Sequence, residues 1–310
     1  MKLIVTGGAG FIGSHVCDAL LAQGHTVHVI DNLNGGKREN LPDGVVFHNM
    51  DIRSDEVAVL FEKEKYDAMY HLAAQMDVRK SVADPGFDAD VNVLGFLNLM
   101  EAGRRTGLKK VVFSSTGGAI YGEPEYVPQD EDHPQQPLSP YGITKLVSEK
   151  YLFFYKDQFD IDYVALRYAN VYGPRQNPHG DAGVVAIFTQ RMLRGQDAFI
   201  NGDGQQTRDY VFVADVVRAN MAALELDGSG IFNVGTGIET NVVELFRMIK
   251  EFTGSDIEET HAPGKPGEQK RSVISYARTE KALGWTPQTP IRAGLKETVE
   301  WFKSQEVAAS

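Results

Sequence analysis

The chain has 310 residues, 42% of them hydrophobic and 24% charged, which is enough apolar material for a sizeable core in an ordinary globular protein. A net charge of −11 argues against nucleic acid or an anionic membrane as the main partner, although a few local Arg and Lys side chains can still gather round an anionic small ligand. The single cysteine, Cys17, excludes an intrachain disulfide and fits a reducing compartment. No apolar run approaches the ~20 residues of a membrane helix. The first strand begins so early that no signal peptide precedes it, so the expected location is the cytoplasm.

In chain order, residues 3–5 read as a strand and 11–23 as a helix closed by Gly24. Further strands are expected at 26–30, 45–47, 68–72, 110–114 and 163–167, with helices at 54–65, 87–106 and 141–159 between them. Strands alternating with helices predict an α/β fold, a doubly wound parallel sheet covered on both faces. After Gly173-Pro174 the rhythm changes to Gly- and Pro-rich loops, with helices at 184–194, 242–253 and 291–303. The expected division is a Rossmann-type domain over 1–173, with a returning segment near 209–237, and a smaller C-terminal α/β lobe over 174–310.

Between the first strand and helix lies Thr6-Gly7-Gly8-Ala9-Gly10-Phe11-Ile12-Gly13. Glycines at 7, 10 and 13 allow a tight turn, close approach of backbone to a pyrophosphate, and close helix–strand packing. The following helix N-terminus offers free N–H groups and partial positive charge. Such a stretch alone is also compatible with a plain turn. Its context favours a dinucleotide, because Asp31 ends the next strand 18 residues after Gly13. A carboxylate there binds ribose hydroxyls and repels a 2′-phosphate, which predicts NAD rather than NADP. Asp51, after the third strand, either approaches the adenine or is a solvated strand-end residue.

Tyr141 and Lys145 are four apart and share a helix face. A free phenol is a poor base at neutral pH. A neighbouring ammonium and a nicotinamide cation favour the phenolate. With 12 tyrosines in the chain the spacing alone carries little weight, but its position does. It follows the fifth strand, which ends in Ser114-Ser115-Thr116, and ligands of such sheets lie beyond the carboxyl ends of the strands. A hydroxyl there and the Tyr/Lys pair can converge on one carbinol.

With these landmarks the chain resembles the extended short-chain dehydrogenase/reductase family and, within it, the UDP-hexose 4-epimerases. The resemblance spans nearly the whole length: Thr6 to Gly13, Asp31-Asn32, His71-Leu72-Ala73-Ala74, Asn92, Phe113 to Gly122, Tyr141/Lys145, Leu166 to Pro174, Gly202-Asp203-Gly204, Arg208-Asp209-Tyr210 and Leu283-Gly284-Trp285. It implies a retained NAD and interconversion of UDP-galactose and UDP-glucose by transient oxidation at C4. Tyr141 is then the base, Lys145 tunes it and contacts the nicotinamide ribose, and Thr116, or Ser115 beside it, hydrogen-bonds O4. The cofactor contacts implied are Gly7, Gly10, Phe11, Ile12, Gly13, Asp31, Asn32, Asp51, Ile52, Leu72, Ala73, Ala74, Gln75, Asn92, Ser114, Tyr141, Lys145 and Tyr168. For the UDP-sugar they are Thr116, Tyr141, Asn170, Val184, Asn201, Arg208, Lys265 and Glu268.

Dehydratases and decarboxylases of the family place carboxyl groups just after the hydroxyl residue, where this chain has Gly117-Gly118; elimination then lacks its acid/base pair. Those enzymes and the reductases are the alternative reading, and an NAD-keeping sensor without catalysis is a second. Arg208 either binds a phosphate or pairs with Asp209. The family's second arginine is replaced by Lys265, with Arg271 a possible substitute, and Asn201 stands where many members stack an aromatic on uracil. These departures weaken uridine over thymidine or guanosine. A small residue, Ser272, near the sugar C2 substituent predicts room for an N-acetyl group. His71 is expected to be structural, and no metal-ligand spacing occurs. Val91, Leu94, Leu97 and Leu99, with Leu146, Leu152, Phe153 and Phe154, exceed what one sheet-facing stripe needs. They form either a helix-pair homodimer interface or a surface beneath the C-terminal lobe.

Overall fold

The structure is a computed structural model that describes residues 1–178, 183–264 and 269–309. Its elements begin with β1 (Lys2–Thr6), α1 (Phe11–Ala22), β2 (Thr26–Asp31), β3 (Val46–Asn49), α2 (Glu56–Glu64) and β4 (Ala68–His71). Then come α3 (Val78–Ala83), α4 (Pro85–Ala89), a π-turn (Asp90–Leu94), α5 (Gly95–Thr106), β5 (Lys110–Thr116), α6 (Pro140–Phe159), β6 (Asp162–Tyr168) and β7 (Asn170–Tyr172). The remainder is α7 (Val184–Leu193), β8 (Phe199–Asn201), β9 (Thr207–Phe212), α8 (Val213–Glu225), β10 (Gly230–Val234), β11 (Glu239–Asn241), α9 (Val242–Thr253), β12 (Thr260–Ala262), β13 (Arg271–Ser272), α10 (Ala277–Leu283) and α11 (Ile291–Ala309).

Seven parallel strands form the main sheet in the order β10-β6-β5-β4-β1-β2-β3. This is the doubly wound α/β fold expected from the alternating pattern. Strand residues alternate between two cores, as the pleat requires. Leu3 and Val5 of β1 pack with Val16 and Leu20 of α1 and Ala219 of α8, whereas Ile4 faces Phe61 of α2 and Phe96 and Leu99 of α5. A strand with both faces buried needs no polar alternation, which is why these segments read as short continuous apolar runs.

Two features differ from the sequence reading. The segment expected to return near 209–237 contributes a strand of its own, β10, which is not among the strands expected and joins the sheet beside β6. The helix expected over 87–106 is interrupted by the π-turn, and α3 precedes it as a further helix. The wider turn carries Asn92 inward, where its Nδ2 donates to Gln75 O at 2.9 Å and Asp88 Oδ1 at 3.2 Å. A separate core of Phe188, Met192, Ile200, Val243, Phe246 and Leu295 lies beneath α7, α9 and α11. Among the described residues no helix is long and apolar enough to cross a membrane.

Candidate active site

The glycine turn is built from contacts that leave no room for a side chain. Gly7 has φ +71, and a Cβ there would lie 2.6 Å from Ala73 N; one on Gly13 would lie 2.2 Å from Gly7 O. The first intrahelical bond of α1 runs from Ser14 N to Gly10 O at 3.1 Å, so the N–H groups of Phe11, Ile12 and Gly13 have no acceptor within the helix. Asp31 closes β2 with its carboxylate accepting from Ala9 N at 3.0 Å and Leu33 N at 2.8 Å. Burial pushes this carboxyl up, against those two backbone donors. Backbone packed too closely for side chains, a helix N-terminus and an acid at the end of the neighbouring strand fit a dinucleotide with free ribose hydroxyls.

The wall of this cleft follows β4. A 2.8 Å hydrogen bond joins Thr6 Oγ1 to His71 Nδ1, and Ala73 N donates to the same threonine at 3.4 Å. Burial, with Lys145 adding to it, pushes His71 down to about 3, so its ring is neutral and structural. Leu72, Ala73 and Ala74 then pass the turn, and Ile52 lies buried against Gly95. Asn32 Nδ2 donates to Asp51 at 3.0 Å, and Arg53 grips both Asp51 oxygens at 2.8 and 2.9 Å. Those Arg53 hydrogen bonds hold the Asp51 carboxyl well below the usual range. Gln75 and Asn92 clasp each other and spend their amides within the protein. The Tyr168 side chain is not brought to the turn; its hydroxyl lies in the core and accepts from Asn220 Nδ2 at 2.9 Å.

Helix α6 presents Tyr141 and Lys145. Ser139 caps it by accepting from Gly142 N, and Pro140 occupies its first turn. Gly142 lets the 117–122 loop press against that turn, since a Cβ there would lie 2.4 Å from Ala119 O. The Lys145 ammonium donates to Ser114 O at 2.7 Å and sits 5.8 Å from the Tyr141 ring centroid. Burial pulls Lys145 down to about 8, against Asp88 and Glu149. Burial, with Asp88 adding to it, pushes the Tyr141 phenol upward. Both causes act against the phenolate, so forming it calls for positive charge beside the phenol.

Ser115 and Thr116 point to opposite faces of β5, and this separates them. Ser115 Oγ donates to Glu149 Oε1 at 2.6 Å. Glu149 also accepts from Arg167 Nε at 2.9 Å and Nη2 at 2.6 Å, and Arg167 Nη1 donates to the Tyr121 hydroxyl at 2.9 Å. Ser115 is thus committed to a buried network and is withdrawn as the alternative to Thr116. A Cβ built on Gly118 would lie 4.0 Å from Thr116 Oγ1 and 3.9 Å from Asn170 Oδ1, so these two groups border one space. A Cβ on Gly117 would meet Ile274 Cδ1 at 2.7 Å.

The second end of the cleft rests on short strands. Arg208 of β9 donates to Thr207 O at 2.8 Å. Asp209 faces the other way, its carboxylate accepting from Thr236 N and Oγ1 and from Gly237 N. Ser272 is buried and lies in register with Arg208. Arg271, next to it, points to the opposite face and makes a two-pronged bond to Glu239 at 2.9 and 2.7 Å. That pairing turns it away from the face of Arg208 and Ser272. Val184 opens α7 and Asn201 ends β8; Lys265 and Glu268 lie outside the described residues. Sequence reasoning passed over Asp88, Gly142, Glu149 and Arg167. Arg167 carried a signal, since an arginine inside an apolar strand needs a buried counter-charge, and Glu149 lies one helical turn from Lys145 on α6.

A dinucleotide turn after β1, and a Tyr/Lys pair on α6 whose lysine reaches the carbonyl of Ser114 at the end of β5, suit an enzyme that oxidises or reduces an alcohol carbon. The chain belongs to the NAD dependent epimerase/dehydratase family, which it matches over residues 3–235, and NAD is its cofactor. It is 45% identical over 98% of its length to the UDP-glucose 4-epimerase of Mycolicibacterium smegmatis, covering 99% of that protein. Among solved structures, the Thermotoga maritima UDP-glucose 4-epimerase with UDP-glucose is 48% identical, with a TM-score of 0.97, over 99% of this chain and 100% of that one. The Thermus thermophilus UDP-glucose 4-epimerase with NAD is 46% identical, with a TM-score of 0.93, over 98% and 99%.

Proposed function

We propose that this chain is a UDP-hexose 4-epimerase that interconverts UDP-galactose and UDP-glucose. The observation that carries this reading is the space beside Gly118, bordered by the Thr116 hydroxyl and the Asn170 amide and lacking a carboxyl group at 117 or 118. A sugar there meets hydrogen-bonding groups and a phenol but no acid/base pair for elimination. The cofactor is held by Gly7, Gly10, Phe11, Ile12, Gly13, Asp31 and the 72–74 wall, and when bound it supplies a reversible hydride acceptor for C4. Tyr141 takes the proton of the 4-hydroxyl and later returns it. Thr116 orients O4. Lys145, fixed by Ser114 O, holds positive charge beside the phenol. Burial and Asp88 both raise the phenol, so its activation would draw on the Lys145 ammonium together with the positive charge that NAD would supply when bound.

The cofactor belongs to 1–173 with the returning segment 209–237, and the nucleotide sugar to 174–310, with Arg208, Asn201, Val184, Lys265 and Glu268 at its UDP end. Ser272, small and buried on the Arg208 side of its strand, supports a second substrate pair, the UDP-N-acetylhexosamines. Leu94 is 58% exposed, Phe153 63% and Phe154 44%, whereas Leu99 and Leu152 are buried. Open apolar side chains on α6 and the π-turn support a helix-pair homodimer.

The test is purified protein given UDP-galactose without added NAD. UDP-glucose should form, and Tyr141→Phe should slow it by about 10²- to 10⁴-fold while leaving the fold intact. A stable 4-keto product, net consumption of NAD, or full turnover by Tyr141→Phe would each overturn the reading. Gel filtration at several concentrations tests the dimer.

A further inference from the structure

Asp88 is fully buried at the end of α4, and no part of the reaction above uses it. Its Oδ1 accepts from Gln75 Nε2 at 2.9 Å and Asn92 Nδ2 at 3.2 Å, and its Oδ2 from Thr144 Oγ1 at 2.9 Å. Every partner is a donor, the pattern of an ionised carboxylate. Among the described residues no Arg, Lys or His forms an ion pair with it. An asparagine could accept from Gln75 and Asn92 and turn its amide to Thr144. The hydrogen bonds alone therefore do not account for burying a charge, which is unfavourable when it is unpaired.

The cluster leads directly to the reacting pair. Thr144 precedes Lys145, and its hydroxyl lies 3.0 Å from the Tyr141 carbonyl as well as touching Asp88. The other charged groups around α6 are paired or lie at the surface. Glu149 of α6 is bound by Arg167 of β6, Asp90 of the π-turn by Arg53, and Arg79 and Lys80 of α3 are exposed. His71 of β4 is neutral, and the phenol of Tyr168 on β6 is turned to Asn220. Asp88 is left as the buried negative charge whose natural counterpart is Lys145.

We propose that Asp88 is a positioning residue for the Tyr141–Lys145 pair, the fixed counter-charge that keeps Lys145 an ammonium and sets the pH range in which the pair works. The inference deepens the epimerase reading and rests on it for its kinetic test. The sign follows from Coulomb's law: a nearby negative charge disfavours the phenolate and favours the ammonium. Asp88 acts in that sense on both groups: after burial it adds to the rise of Tyr141, and it opposes the burial that lowers Lys145. Removing the charge should lower both.

The decisive variant is Asp88→Asn, assayed as holoenzyme across pH. Both limbs of the kcat profile should move to lower pH by about one unit, with the optimum rate within about tenfold of wild type. A loss of kcat at every pH with both limbs unmoved would overturn the proposal and leave Asp88 merely structural. Thr144→Val breaks the same cluster but keeps the charge, so its limbs should stay in place; a shift as large as that of Asp88→Asn would also overturn it. A substrate-independent readout is the ultraviolet titration of Tyr141, taken as the difference between Asp88→Asn and Asp88→Asn/Tyr141→Phe and compared with the same difference on the wild-type background. It remains decisive if UDP-galactose is not a substrate, in which case only the epimerase reading fails. Asp88→Ser, smaller and still polar, is read identically should Asp88→Asn not fold.

Discussion

The two ends of the cleft are built from different material. At the cofactor end the binding surface is backbone: Gly7, Gly10 and Gly13 against Ala73, with the Asp31 carboxylate braced by Ala9 and Leu33 N–H groups. At the end proposed for the nucleotide sugar it is side chains, with Arg208 on β9, Ser272 on a two-residue strand and Asn170 on a three-residue strand. A backbone site tolerates almost no change, because nothing can rotate out of the way. A side-chain site can be altered residue by residue and so can vary its ligand on a constant frame.

That contrast breaks if the glycine turn proves adaptable. The largest effect is expected for Gly13→Ala, whose added carbon would lie 2.2 Å from Gly7 O and 2.9 Å from Gly8 Cα, both backbone. The turn has to open, and the purified variant should lose NAD, with affinity down by more than about 100-fold, roughly the 3 kcal/mol of an overpacked backbone contact. Calorimetric titration with NAD measures it. Near-normal affinity would mean that the turn yields and that the cofactor end is no more rigid than the other.

At the nucleotide-sugar end a single side chain should count for less, and only if it faces the cleft. Arg208→Ala removes a charge-assisted contact of about 1.5–3 kcal/mol, a 10- to 100-fold rise in KM for UDP-galactose with kcat little changed. Arg271→Ala should leave KM within about twofold, since an exposed ion pair contributes at most about 1 kcal/mol and its partner Glu239 lies away from Arg208. Equal rises in KM for the two variants would show that the strand face does not decide which arginine meets the phosphates.

What could be read from the sequence follows the same division. The glycine turn, Asp31 and the Tyr141/Lys145 spacing are local, each set by the chemistry of a single turn or helix face. The strand alternation of the first half was local too, but β10 was not: its place beside β6 depends on a chain return that no short window contains. The choice between Ser115 and Thr116, and between Arg208 and Arg271, turned on which face of a strand each occupies. Ser115 and Thr116 are adjacent hydroxyls at the end of one strand, and Arg271 stands on a strand of two residues, so neither stretch has a pattern that reveals it. Glu149 and Arg167 lie on different elements, and their pairing became visible only when α6 packed on β6. Asp88 carried no sequence signal, being one acid among many near the end of a five-residue helix.

The smallest effect, and the sharpest test of residue-by-residue tuning, concerns Ser272. It is buried and in register with Arg208, so its side chain shares the face that carries the guanidinium. A larger side chain there narrows the space for a C2 substituent without touching Tyr141, Lys145 or the glycine turn. Ser272→Tyr should therefore lower kcat/KM for UDP-GalNAc by about 100-fold, within the 1–3 kcal/mol that overpacking costs, while UDP-galactose changes by only a few-fold. The quantity to measure is the ratio of kcat/KM on the two sugars, because a general loss of stability lowers both and leaves the ratio alone. A ratio unmoved by the substitution, or a wild-type enzyme that leaves UDP-GalNAc unchanged, would remove Ser272 from the sugar site. The side-chain end of the cleft would then be tuned from elsewhere, with Asn170 and the groups bordering Gly118 the next positions to vary.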